Sequence, residues 1–250
     1  MNTFSPAAYR ELLRGLLAQA RPFVLFRDAP DAGLLLRHDV DYSPEWAADL
    51  AQVNADLGVR GTFFFLTDSP LYNLFAASSR AALERVAALG QDVGLHVRCA
   101  PHAPDADALR RHYAALRLAA PEAIPAIAWH NPPEELAPLN RIADSAGFTS
   151  AYAPRWFAPG RYLSDSNLRH SPLGLLQAAQ ACPSPILQVL LHPLNWVEPS
   201  STIEEILTRT CAHRVGHVLA AMHENRFWSD RLVECARRSL ESGDLPEGPA

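Results

Sequence analysis

Strand-like and helix-like stretches alternate along this chain with a regularity that few folds accommodate. Short runs rich in β-branched, aromatic and aliphatic residues occupy 23–26, 34–37, 62–66, 93–97, 127–130, 149–152 and 187–191. Apolar residues recur at helical spacing over 6–20, 44–57, 79–89, 105–119 and 134–146, and Gly58, Gly90 and Gly147 stand where three of these helices should stop. Two more helices are predicted over 202–224 and 227–241, ahead of a tail, 243–250, that should fray. Such alternation implies parallel pairing, because a parallel neighbour is reached only through a crossover and a helix usually makes it. We read the fold class as α/β, an irregular (β/α)7-type barrel built by a single domain over 1–250. Barrels of this kind run to about 250 residues without dividing.

The run at 34–37 leads directly into His38-Asp39-Val40-Asp41. Extended backbone sends alternate side chains to one face, so Asp39 and Asp41 point the same way off a strand tip. Two carboxylates that close repel unless positive charge stands between or beside them. A divalent metal supplies that charge, with one carboxylate as ligand and the other left to act as a base. The competing reading is a capping turn, since an aspartate ahead of Ser43-Pro44-Glu45 is ordinary helix-start chemistry.

Three further apolar runs lead into histidines: His96 after Val93-Gly94-Leu95, His130 after Ile127-Ala128-Trp129, and His192 after Val189-Leu190-Leu191. A lone histidine is more often a core or surface residue than a ligand. In a parallel barrel, however, the carboxyl ends of the strands share one face, and polar residues there gather over a single pocket. Imidazole plus carboxylate suits zinc or a similar first-row metal, and three protein ligands with an open position are what a hydrolytic site requires.

The ordered set Asp39-x-Asp41, Gly61-Thr62-Phe63-Phe64-Phe65, Gly94-Leu95-His96, Pro132-Pro133 and Leu191-His192-Pro193 resembles the polysaccharide deacetylase family, the NodB-homology carbohydrate esterases. It looks most like a branch found in bacterial surface-polysaccharide biosynthesis, whose opening Arg-His-Asp-Val-Asp-x-Ser-Pro-Glu is matched by residues 37–45. The resemblance spans roughly 34–196, with the C-terminal helices at 202–241 beyond it. It implies a metal-dependent hydrolase, zinc-loaded, that removes the acetyl group from an N-acetylated sugar, either a surface polysaccharide or its precursor. Asp39 would be the general base, Asp41 and His96 metal ligands, and His192 the acid that protonates the departing amine. The family's third ligand is a histidine four residues after the first, but position 100 is Ala100. His130 at a strand tip and His102 in the Pro101-to-Pro104 loop are the two replacements, and His130 is preferred because a strand-tip side chain already faces the barrel mouth. The family arginine ahead of the double proline is replaced by Asn131, so the orienting of the base is left vacant or falls to Arg37 or Arg155. Two alternatives stand beside this reading: a metal-independent amide or imide hydrolase of the same fold, and an inactive carbohydrate-binding descendant.

The remaining features narrow the partners. A formal net charge of -5 gives no basic stripe for nucleic acid. The start Met1-Asn2-Thr3-Phe4-Ser5-Pro6 lacks a basic region followed by an apolar core, and no apolar stretch is long enough to cross a bilayer, so a cytoplasmic location is expected. The cysteines, Cys99, Cys182, Cys211 and Cys235, form no Cys-x-x-Cys pair and are expected to be reduced. His213 and His217 have i,i+4 spacing, but Arg214 stands where a metalloprotease helix has glutamate, so a solvated helix face is the better account. No Gly-x-Ser-x-Gly elbow or Gly-rich phosphate loop is present. Trp129, Trp156 and Trp196 are candidate sugar-ring walls, though core packing is the commoner fate. Asp165 could orient a catalytic group, hold substrate, or simply make an Asx-turn. The oligomeric state is not written in the sequence.

Overall fold

The computed structural model of the protein describes residues 3–99, 103–223 and 230–242. By internal packing the chain divides into two compact units, Met1–Ile203 and Glu204–Ala250. Among the described residues, the first holds eight strands: β1 (Phe23–Val24), β2 (Gly33–Val40), β3 (Thr62–Leu66), β4 (Asp92–Arg98), β5 (Ala126–His130), β6 (Thr149–Ser150), β7 (Tyr162–Ser164) and β8 (Ile186–Leu191). Between them lie α1 (Pro6–Leu17), α2 (Pro44–Asp56), α3 (Ala77–Ala88), α4 (Ala106–Ala119), α5 (Ala137–Ala146) and α6 (Pro172–Ala181). The second unit is built from α7 (Ile203–His223) and α8 (Asp230–Ser242), on which Glu234 lies within ion-pair reach of Arg237 and Arg238.

The strands run in the order β6-β5-β4-β3-β2-β8-β7, with β1 attached to the start of β2, and every pairing is parallel. This is the expected irregular (β/α)7-type barrel, with no strand pairing between β6 and β7 among the described residues. A side chain spans that opening: Gln188 on β8 donates to the carbonyl of Ala151, just beyond β6, at 3.0 Å.

Alternation along β2 divides the molecule into two layers. Leu34, Leu36 and Val40 belong to one large cluster with Leu12, Leu13 and Ala47 of the covering helices. Leu35, on the opposite face, joins an inner cluster with Phe26, Phe64, Ala126 and Trp156. Arg37, Asp39 and Asp41 therefore continue the inner face upward, as period-two geometry requires. Inside the barrel Gly94 allows Phe64 to cross, because a Cβ at that position would lie 2.6 Å from the phenylalanine ring.

Local chemistry sets the helix starts. Ser5 caps α1 by accepting from the Ala8 amide at 3.0 Å, and Ser43 caps α2 by accepting from the Trp46 amide at 3.3 Å, each with proline at the first helical position. Because Ser43 performs the capping, Asp41 is left for other work. At the far end of α5, Gly147 takes φ 84, the left-handed stop read from the sequence. Two elements go beyond what the sequence pattern predicts, β7 and α6. β7 is three residues long, and α6, PLGLLQAAQA, is so uniformly apolar and small that helical periodicity leaves little contrast.

Candidate active site

Five of the side chains singled out in the sequence meet at the carboxyl ends of β2, β4, β5 and β8. Register explains the convergence: Leu66 pairs with His96, His96 with Ala128, and Arg98 with His130, so His96 and His130 occupy successive inward positions on adjacent strands. Asp41 follows β2 by one residue and reaches both rings. Its Oδ1 lies 3.1 Å from Nε2 of His96 and 3.1 Å from Nδ1 of His130. One ligand atom from each of Asp41, His96 and His130 falls within 4.8 Å of the others, which makes this the cluster capable of holding a metal among the described residues. His102, the alternative third ligand, and Ala100 lie outside the described residues.

The surroundings of these three groups suit a cation. Nδ1 of His96 donates to the Ala128 carbonyl at 2.8 Å, which fixes the ring and aims Nε2 at Asp41. The side-chain amide of Asn131 stands 3.2 Å from Nε2 of His130, while Nδ1 of that ring turns inward. Burial opposes ionisation of Asp41, yet hydrogen bonds from His130 and His96 hold its carboxyl well below the usual range. Two nitrogens and an ionised oxygen, one ring already oriented through its second nitrogen, are a donor set for a zinc-class ion.

Asp39 lies one layer deeper and is 3 % exposed. Arg37, from the same strand face, grips it with two hydrogen bonds, Nε to Oδ1 at 2.7 Å and a terminal nitrogen to Oδ2 at 2.6 Å. Burial pushes the carboxyl up, but the Arg37 charge outweighs it and keeps Asp39 ionised. The fully buried guanidinium is held in turn by the Tyr152 hydroxyl at 3.1 Å and faces the Tyr152 ring 4.5 Å from its centroid. Arg155, the other arginine considered for this place, instead reaches the Ala29 carbonyl and Asp31.

His192 enters from the end of β8. Its Nε2 is 3.9 Å from Asp41 Oδ2, and its Nδ1 is 2.6 Å from the fully buried carboxylate of Asp165. That carboxylate also accepts from the His192 amide at 2.9 Å and from the Trp196 indole at 2.7 Å. Burial works against the imidazolium, but the Asp165 charge and hydrogen bond outweigh it, and the His192 pKa is pushed up to about 9. Asp165 thus orients a site histidine; of the roles open to it in the sequence, this one needed the distance across 27 residues to emerge.

The three tryptophans are not walls of the site. Trp129, Trp156 and Trp196 are at most 1 % exposed and pack in the core. His213 and His217 lie on α7 with ring centroids 4.4 Å apart. The four cysteines are free thiols. Among the described residues, no helix is long and apolar enough to cross a membrane.

Among solved structures, the chain is similar to the chitin deacetylase of the fungal pathogen Colletotrichum lindemuthianum, at 16% identity over 72% of this chain and 81% of that one, with a TM-score of 0.45. It is also similar to a peptidoglycan deacetylase of Bdellovibrio bacteriovorus, at 17% identity over 78% and 51%, with a TM-score of 0.47. A third such structure is a CE4 family pseudoenzyme from Bacillus anthracis, at 16% identity over 74% and 60%, with a TM-score of 0.47. The chain spans less than two thirds of the length of that pseudoenzyme, in its unaltered form and in a mutant with restored activity. No family model matches the chain, and no curated protein matches it.

Proposed function

We propose that the protein is a metal-dependent hydrolase that removes the acetyl group from an N-acetylated sugar, a surface polysaccharide or its precursor. The observation that carries this reading is the juxtaposition of a three-donor cluster, Asp41, His96 and His130, with an ionised carboxylate on one side and a carboxylate-backed imidazole on the other. A zinc-class ion held by those three donors would supply a Lewis acid that polarises the acetamide carbonyl and acidifies water.

The chain's own groups account for the proton traffic. Asp39 takes a proton from the attacking water as its oxygen bonds to the carbonyl carbon. Arg37 keeps the acceptor oxygen in place and charged, so no rotamer search precedes the transfer. His192 carries its Nε2 proton toward the sugar nitrogen, because Asp165 occupies Nδ1 and favours the imidazolium. When the carbon–nitrogen bond breaks, that proton prevents release of an amide anion, and acetate and a free amine remain.

Acetate release from N-acetylglucosamine oligomers and N-acetylated sugar nucleotides, measured with zinc, cobalt or nickel added, tests the reading. Asp39→Asn and His192→Ala should each lower the rate by roughly 10²–10⁴-fold while the fold and bound metal persist. A turning-over substrate indifferent to both substitutions would falsify this mechanism.

A further inference from the structure

Beside the metal-ligand cluster opens a cleft of about 170 Å³ with a mixed lining. Its apolar lining includes Leu66 and Leu71, and its polar lining includes Arg98, His130, Asn131 and Asp41. Arg98 ends β4, two residues after His96 on the same strand face, and pairs in register with His130. Arginines elsewhere at the sheet have acids to hold: Arg37 grips Asp39 and Arg27 grips Asp92. Arg98 is half-buried at the cleft and makes no hydrogen bond or ion pair among the described residues. Asp41 does not serve as its counter-ion, since its oxygens are directed to His96, His130 and His192.

A guanidinium presents a planar fork of donors matched to phosphate and carboxylate oxygens, and it cannot shed its charge. Placed next to the reacting centre with no partner among the described residues, it selects a ligand that brings the anion. We infer that Arg98 is the specificity-determining residue of this site and that the substrate is an anionic N-acetylated sugar, bearing a phosphate or carboxylate close to the acetamide. The inference rests on the deacetylase reading for the acetamide and on Arg98 alone for the anion. It divides the candidates: a sugar phosphate, a sugar nucleotide or a sugar acid satisfies Arg98, whereas a neutral N-acetylglucosamine polymer leaves it unpaired.

Calorimetric titration of the full chain in chelator, where no turnover occurs, tests the anion site. The probes are N-acetylglucosamine 1-phosphate for a phosphate, N-acetylmuramic acid for a carboxylate, neutral N-acetylglucosamine, and inorganic phosphate. At least one anionic sugar should bind about 10- to 100-fold more tightly than the neutral one, as expected for a charge-assisted contact. The tighter of the two identifies the anion. Arg98→Gln should erase that advantage and Arg98→Lys should keep part of it, and added salt should shrink it in the unaltered chain whether or not the variants fold. Equal affinity for neutral and anionic sugars, or an advantage that survives Arg98→Gln, overturns the inference. The two readings fail separately. Anion-selective binding without acetate release from any probe on the zinc-loaded chain removes the hydrolase and leaves the anion site, whereas release without selectivity removes the anion site alone.

Discussion

Nδ1 of His192 and Oδ1 of Asp165 stand 2.6 Å apart, and the carboxylate that holds the ring has no exposure to solvent. A second oxygen of the same group holds the His192 backbone amide, so side chain and main chain are fixed from one point. The pair favours the imidazolium form of His192.

Replacing Asp165 by Asn should therefore move the alkaline limb of the rate profile. His192 is raised to about 9, chiefly because the Asp165 charge overcomes the cost of burial. The acid form is present below that pH and is lost as pH rises through it. In Asp165→Asn the limb should fall by about one unit or more, with a lower kcat at pH 8 than at pH 6. A pH–rate profile whose alkaline limb stays in place would show that Asp165 is structural only.

Arg37 and Asp39 form an ion pair with both partners inside the barrel, so breaking it should cost more than removing it. Arg37→Met leaves a buried carboxylate without a counter-ion and should lower unfolding stability by about 3–5 kcal/mol. Arg37→Met with Asp39→Leu should recover much of that stability while acetate release stays lost. Urea denaturation of the two variants decides: equal instability of single and double variants would mean that packing, not charge, sets the cost.

His38 lies on the other face of β2, stacked on Phe63 at 4.0 Å and hydrogen-bonded to the Tyr9 hydroxyl at 2.7 Å. Burial lowers its pKa to about 3, so it folds neutral. Its depressed folded value contributes stability present above the unfolded value of about 6.5 and lost as pH falls toward 3. In metal-free protein, the denaturation midpoint should drop between pH 6.5 and 5, before the carboxylates titrate. His38→Gln should flatten that slope, even if it lowers stability at pH 7. An unchanged slope in the variant would assign the acid sensitivity to other groups.

Much of this arrangement was legible because strand geometry is local. Alternation placed Asp39 and Asp41 on one face, and the shared direction of parallel strands brought His96, His130 and His192 to the same rim. What stayed hidden depends on packing between distant segments. Arg37 could be set against Arg155 only by tracing where each guanidinium goes. The role of Asp165 required β7, a strand too short to announce itself, to pair with β8 so that residue 165 faces residue 192. The tryptophans showed the converse: Trp129 and Trp196 pack in the helix-facing layer and Trp156 in the inner cluster, a distinction that residue type does not carry.

Metal content measured directly tests the proposed binding of one divalent ion by Asp41, His96 and His130. After equilibration with zinc and removal of excess, elemental analysis of the full chain should find about one ion per chain. His130→Ala should lose tight binding, while His102→Ala, folded to the same degree by circular dichroism, should retain it. An unaltered chain that takes up no zinc, cobalt or nickel, or a His130→Ala chain that binds zinc as tightly as before, would contradict the assignment.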